Sequence, residues 1–147
     1  MTLLDRIAGR RVYFDSNVFI YVVEGSAVYE SALRPVVRAV ASGALTALTS
    51  ELTLSEVLVH PLRDRDAERE RSFLRVVRAH GGLAVEPVSR SVLIEAARLR
   101  AATTALKLPD AIHAATARLH GCAVLLTNDA RVRAVPNLEV LQLSEVV

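Results

Sequence analysis

The stretch Ala123-Val124-Leu125-Leu126-Thr127-Asn128-Asp129 decides the fold. Four apolar residues in a row, introduced by Gly121-Cys122 and ended by polar ones, are too short for a helix and too continuous for a half-exposed strand. They predict a strand over 123–126, buried on both faces. Arg11-Val12-Tyr13-Phe14-Asp15 repeats the pattern near the N-terminus: a short β-branched and aromatic run ended by an acid. Both read as central strands of a parallel sheet, and both deliver an aspartate to the carboxyl end, where an open α/β sheet forms its crevice.

Between these strands the pattern alternates. Val18–Val23 predicts a helix ending near Gly25, and Tyr29–Ala41 a second, with Pro35 near its first turns and Gly43 after it. Ala44–Thr49 predicts a strand, and Thr53–His60 a helix stopped by Pro61. After the charged segment Arg63–Arg71, an amphipathic helix continues through Phe73, Leu74, Val76 and Val77 to Gly81-Gly82. Leu83–Val88 reads as a strand, and the next helix carries Val92, Leu93, Ala96 and Leu99 on one face. Pro109 opens a helix through Leu119, closed by Gly121, and Leu138–Leu143 alternates as an edge strand should. Strands alternating with helices define an α/β class with a central parallel β-sheet covered on both faces. No linker, repeat or low-complexity tract divides residues 1–147, so a single domain is expected.

Composition narrows the function. A chain of 147 residues with 52% hydrophobic and 23% charged residues is that of a globular protein. The lone cysteine, Cys122, excludes an internal disulfide and a thiolate zinc cluster, and suits a buried thiol in a reducing compartment. Asp5 interrupts the segment where a secretory signal would run, and no uncharged stretch approaches a membrane span. A cytoplasmic protein with no membrane partner is expected. The net charge of +2 permits a nucleic-acid partner without requiring one. Nearly every base is arginine, the side chain better suited to bidentate phosphate contacts, with Lys107 the only lysine.

The candidate chemistry lies in Asp15, Glu56, Asp110 and Asp129. Each has a structural explanation: Asp15 as an N-cap, Glu56 as the last residue of a capping box Thr53-Leu54-Ser55-Glu56, Asp110 as a helix-dipole partner, Asp129 as a cap for a following helix. A purely structural account does not require all four to be acids with these flanks. Carboxylates gathered at strand ends and helix starts repel one another, and a divalent cation is the usual remedy. Oxygen-rich ligation favours Mg²⁺ or Mn²⁺ over zinc. Asn17 and Thr127 are candidates to orient a carboxylate or contact phosphate. His113, one turn after Asp110, shares its helical face and could tune that carboxylate, but fits a packed core histidine better. His60, His80 and His120 stand at helix ends, so no histidine is assigned to catalysis. Arg71, Arg75 and Arg78 share a helical face that could track phosphate, although Glu68 and Glu70 favour a plain solvated helix.

Four segments carry a family resemblance: Asp15-Ser16-Asn17-Val18-Phe19-Ile20, Ser55-Glu56-Val57-Leu58, Leu108-Pro109-Asp110-Ala111-Ile112-His113-Ala114-Ala115-Thr116-Ala117 and Leu126-Thr127-Asn128-Asp129. In order and spacing the chain resembles the PIN-domain ribonucleases, most closely the VapC-like toxins of type II toxin–antitoxin pairs. The resemblance implies a three-layer α/β/α domain and a Mg²⁺- or Mn²⁺-dependent endoribonuclease. It places the acids at Asp15, Glu56, Asp110 and Asp129; of these, Asp15 and Asp110 are expected as the main direct ligands, because strand-end and helix-start carboxylates can be held rigidly. It also implies an RNA substrate, a cognate antitoxin protein and a homodimer. A receiver-like module would want a lysine after a late strand, whereas Lys107 precedes the Asp110 helix. A dehalogenase-like phosphatase would want a second aspartate where Asn17 stands. The remaining alternative is a PIN-like scaffold that binds RNA or a partner without cutting.

Overall fold

The computed structural model describes residues 1–146. Its centre is a five-stranded parallel sheet of β1 (Arg11–Phe14), β2 (Thr46–Ser50), β3 (Leu83–Glu86), β4 (Val124–Thr127) and β5 (Glu139–Gln142), in the order β3-β2-β1-β4-β5. In register, β1 places Tyr13 beside Leu48 of β2 and Leu125 of β4. The two strands expected at the centre are therefore neighbours, and the expected edge strand is β5.

Alternation along β1 divides the core in two. Val12 and Phe14 face one side, with Val18, Phe19, Leu33, Val36 and Phe73; Tyr13 faces the other, with Val92, Ala96, Ala111 and Ile112. Helices α1 (Leu3–Ile7), α2 (Ser16–Glu24), α3 (Glu30–Ser42), α4 (Leu52–Val57) and α6 (Ala67–Val76) bury their apolar residues in the first layer. Helices α7 (Arg90–Ala102) and α8 (Leu108–Leu119) cover the second. The result is the expected α/β/α sandwich. In α8, Ala111, Ala114, Ala115 and Ala117 are buried, and their small side chains let the helix lie close to β2, β4 and α7. Among the described residues no helix is long and apolar enough to cross a membrane.

Three expectations are corrected. The helix foreseen over Thr53–His60 is two, α4 and α5 (Val59–Arg63), hinged at Leu58. Pro61 has no N–H for the carbonyl of Val57 and its ring crowds that carbonyl, so the break falls upstream of the proline. Pro61 itself sits in the first turn of α5, where no donor is needed. Second, α6 ends at Val76, so Arg78 lies beyond the helix and the three arginines form no continuous helical track. Third, no helix follows Asp129; residues 128–138 run as a loop to β5. The short α1, capped by a Thr2–Asp5 box, has no counterpart in the sequence reading.

The turn into β3 is fixed by a close backbone approach. Gly82 donates to the Val40 carbonyl at 2.7 Å and accepts from the Ala47 amide at 2.9 Å. A Cβ on Gly82 would lie 2.0 Å from the Leu45 carbonyl oxygen, a backbone atom that cannot rotate away. Gly82→Ala is expected to cost about 2–3 kcal/mol of unfolding free energy, measured as a lowered urea midpoint with unchanged slope. A midpoint equal to that of the parent would show that the α3–β3 junction yields freely.

Candidate active site

Asp15 leaves the carboxyl end of the central strand and turns directly into α2. It caps that helix, its Oδ1 accepting from the Ser16 amide at 2.7 Å. The neighbouring strand supplies the other contact: Thr127 donates to Oδ2 at 2.6 Å. Asp15 is 6% exposed, so its position is set on both oxygens before any ligand arrives. Asn17 donates to the Thr127 hydroxyl at 3.4 Å and accepts from the Asn128 amide at 3.2 Å, binding the start of α2 to the end of β4. Thr127 thus orients a carboxylate, and Asn17 braces Thr127.

Glu56 comes from α4, and not through a capping box. The residue before α4 is Glu51, while Thr53 is buried and shares a 2.8 Å hydrogen bond with Thr49. The Glu56 carboxylate is free to reach across to His113 Nε2, 2.5 Å away, and Asp15 Oδ1 lies 3.5 Å from the same nitrogen. Asp110, in the first turn of α8, and Asp129, in the loop after β4, complete the ring. A cleft of about 270 Å³ is lined by Asp15, Ser16, Asn17, Glu56, Lys107, Pro109, Asp110, Asp129 and Arg131. All four predicted acids therefore meet in one cleft. Among the described residues the tightest group is Asp15, Glu56 and His113, whose ligand atoms lie within 4.8 Å of one another; Asp110 and Asp129 are not part of it.

His113 is the functional neighbour that the sequence reading passed over. It is buried, as expected of a core histidine, but both ring nitrogens are committed to the site. Nδ1 lies 2.5 Å from the Tyr13 hydroxyl and Nε2 faces Glu56. A carboxylate only accepts, so Nε2 must carry the proton. Tyr13 stays a phenol because burial, then the charge of Asp15, push its pKa well up. Burial opposes a charge on His113, but the Glu56 hydrogen bond and the charges of Asp15, Glu56 and Asp110 outweigh it and raise its pKa. With its Nε2 lone pair blocked by a proton, His113 acts as a donor that holds Glu56, and the candidate ligand atoms in the cleft are carboxylate oxygens. The i,i+3 spacing from Asp110 was the only sequence signal for it; Tyr13 is a hundred residues away.

The electrostatics are those of a site short of positive charge. Burial, then the neighbouring charge of Asp129, raises the Asp110 pKa, with Asp15 adding to it. Asp129 is shifted the other way, chiefly by its hydrogen bond from Arg131, which donates from Nε at 3.0 Å and Nη2 at 2.7 Å. A buried aspartate, a second one whose charge is disfavoured by burial and its neighbours, and the carboxylate oxygens of the cleft fit a hard divalent cation.

Residues 12–138 match the PIN domain family. The chain belongs to the PIN-domain family. No curated protein matches it in sequence. Among solved structures it is similar to a toxin–antitoxin complex from Klebsiella pneumoniae at 27% identity and a TM-score of 0.63, covering 86% of this chain and 94% of that one. VapBC2 from Rickettsia felis, bound to a promoter DNA fragment, gives 18% identity and a TM-score of 0.68, covering 90% and 98%. VapC20 of Mycobacterium tuberculosis, a sarcin–ricin-loop-cleaving toxin, gives 17% and 0.62, covering 78% and 86%.

The raised pKa of Asp110 carries a stability consequence. Folding favours its protonated form, so that contribution is fully present at acid pH and lost as pH rises through the folded-state value. In EDTA, Asp110→Asn is expected to melt above the parent at neutral pH, and the difference should shrink to nothing below about pH 4. A variant no more stable than the parent at neutral pH would show that the cleft does not strain this carboxylate.

Proposed function

We propose that this chain is a Mg²⁺- or Mn²⁺-dependent endoribonuclease, the toxin of a toxin–antitoxin pair. The observation that carries the reading is the convergence of Asp15, Glu56, Asp110 and Asp129, from four separate segments, on one cleft at the carboxyl ends of β1 and β4. Fold kinship with VapBC and FitAB assemblies supports the toxin assignment. A cognate antitoxin, RNA substrate, homodimer, cytoplasmic location and a single domain over residues 1–147 belong to the same proposal.

Asp15 and Asp110 would hold the cation, with Glu56 and Asp129 completing the shell directly or through water. A bound Mg²⁺ or Mn²⁺ supplies a water acidic enough to attack near neutral pH and offsets charge on the phosphate. The chain's own residues prepare that event. Ser16 and Thr127 fix the two Asp15 oxygens, and His113, set by Tyr13, fixes Glu56. In the reaction the water oxygen bonds to phosphorus, the P–O3′ bond breaks, and one proton of the water ends on the departing 3′ oxygen. A carboxylate of the cleft can take the other proton. A scaffold that binds RNA without cutting would need the same fold but none of this preparation of Asp15.

Purified protein, stripped of any partner, is expected to cut total cellular RNA into discrete fragments in Mg²⁺ or Mn²⁺. Cleavage should vanish in EDTA and fall on the order of a hundredfold or more in Asp110→Ala. Folded protein that cuts nothing with either metal would favour the scaffold, and undiminished cleavage by Asp110→Ala would remove that residue from the site.

A further inference from the structure

Two basic side chains, Lys107 and Arg131, line the acidic cleft. Arg131 grips Asp129 with two guanidinium nitrogens, and its own backbone N–H donates to the same carboxylate at 3.0 Å. The pair is asymmetric: the Arg131 side chain is 56% exposed and that of Asp129 only 20%. The guanidinium therefore lies over the rim, with one face open to anything entering. The backbone beneath it is fixed separately. Gln142, buried at the end of β5, donates to the Asp129 carbonyl at 3.0 Å and the Val132 carbonyl at 2.8 Å. The arginine can leave Asp129 by side-chain rotation alone, without disturbing the loop.

The charges of the cleft give that rotation a purpose. A phosphodiester is anionic and must approach four carboxylates, and one divalent cation offsets only half of their charge. A guanidinium paired to a carboxylate offers the same planar fork to a phosphate. An exposed ion pair is weakly held, so exchanging one oxyanion for another costs little. We propose that Arg131 is a phosphate-contacting residue, held by Asp129 in the free protein and transferred to the RNA backbone beside the scissile bond when substrate enters. This rests on the ribonuclease reading given above. Release of the Arg131 side chain would at the same time free Oδ2 of Asp129 to face the cation, with Oδ1 still held by the Arg131 backbone N–H, so that completing the acidic ring and gripping the substrate are one movement.

The test compares the parent with Arg131→Gln and Arg131→Lys in three measurements: cleavage of total cellular RNA, Mn²⁺ binding followed by electron paramagnetic resonance, and thermal unfolding. Arg131→Gln is expected to cleave roughly ten- to a hundredfold more slowly, the loss typical of one charged hydrogen bond. Mn²⁺ binding should be unchanged or tighter, because Asp129 loses its competitor. The melting temperature should stay within about two degrees of the parent's. Arg131→Lys should recover part of the rate. The salt dependence of cleavage at low RNA concentration should lose about 0.7 from its logarithmic slope in Arg131→Gln, which a merely structural role would not alter. Cleavage by Arg131→Gln at the parent's rate overturns the proposal and leaves the nuclease reading standing. Slower cleavage with weakened Mn²⁺ binding also overturns it, by making Arg131 a positioning residue for Asp129. A folded parent that cuts no RNA removes the nuclease reading and this proposal with it.

Discussion

The burial of Asp15 is the constraint on which the rest of the structure depends. A carboxylate 6% exposed in the centre of a sheet has to be stabilised by its surroundings. The Ser16 amide at the start of α2 and the Thr127 hydroxyl of β4 do this from two directions. Each contact fixes a piece of architecture. The first requires the chain to turn into a helix directly after β1. The second requires β4 to lie beside β1 in the register that pairs Phe14 with Leu126. Asn17, Thr127 and Asn128 then tie helix and strand together, and Asn128 extends the tie to the hydroxyls of Tyr21 and Tyr29 at 2.9 and 3.0 Å.

The opposite face of β1 contributes as directly. Because side chains alternate along a strand, Tyr13 points away from Phe14 and into the layer of α8. There it meets His113, and through that ring it acts on Glu56 of α4. One strand thus sets two acids: Asp15 at its own end, and Glu56 through a two-step relay on the other face. A histidine with its Nε2 proton directed at a carboxylate offers no ring lone pair on that side, so the acids of the cleft are left as its anionic donors.

What the sequence discloses follows from how locally each feature is encoded. Asp15 and Asp129 end the two most apolar runs, so their shared location at the carboxyl edge of a parallel sheet could be read before any coordinates. Asp110 was legible from Pro109 and the helix that follows. Glu56 was legible as an acid but ambiguous in role, because Thr53 and Glu56 have the spacing of a capping box. The helix begins at Leu52, and Thr49 of β2 engages Thr53, so Glu56 is left to meet His113. The Tyr13–His113 contact joins residues a hundred positions apart and has no local signature at all. The hinge between α4 and α5 was misplaced because the consequence of a proline falls four residues before it.

The four acids are not held with equal firmness, and the difference is physically ordered. Asp15 is fixed by backbone and strand, and Glu56 by a buried ring. Asp110 stands in the first turn of α8, whose body is packed from Ala111 to Ala117. Asp129 alone belongs to a loop and alone is paired with an exposed base. Two of these carboxylates are held by hydrogen bonds from the packed body of the fold, whereas the charge of Asp129 is balanced by a side chain that is 56% exposed. Burial first, then repulsion from Asp129 and Asp15, raises the pKa of Asp110, so the free cleft disfavours the charge of that carboxylate. The Arg131–Asp129 pair lowers that repulsion in the free protein without filling the centre of the cleft. An arginine between Asp15 and Asp110 would offset their charge directly, but it would fill the cleft that the Arg131–Asp129 pair leaves open. Placing the internal cation on the loop acid, Asp129, offsets part of the cleft's charge in the free protein and keeps the site open.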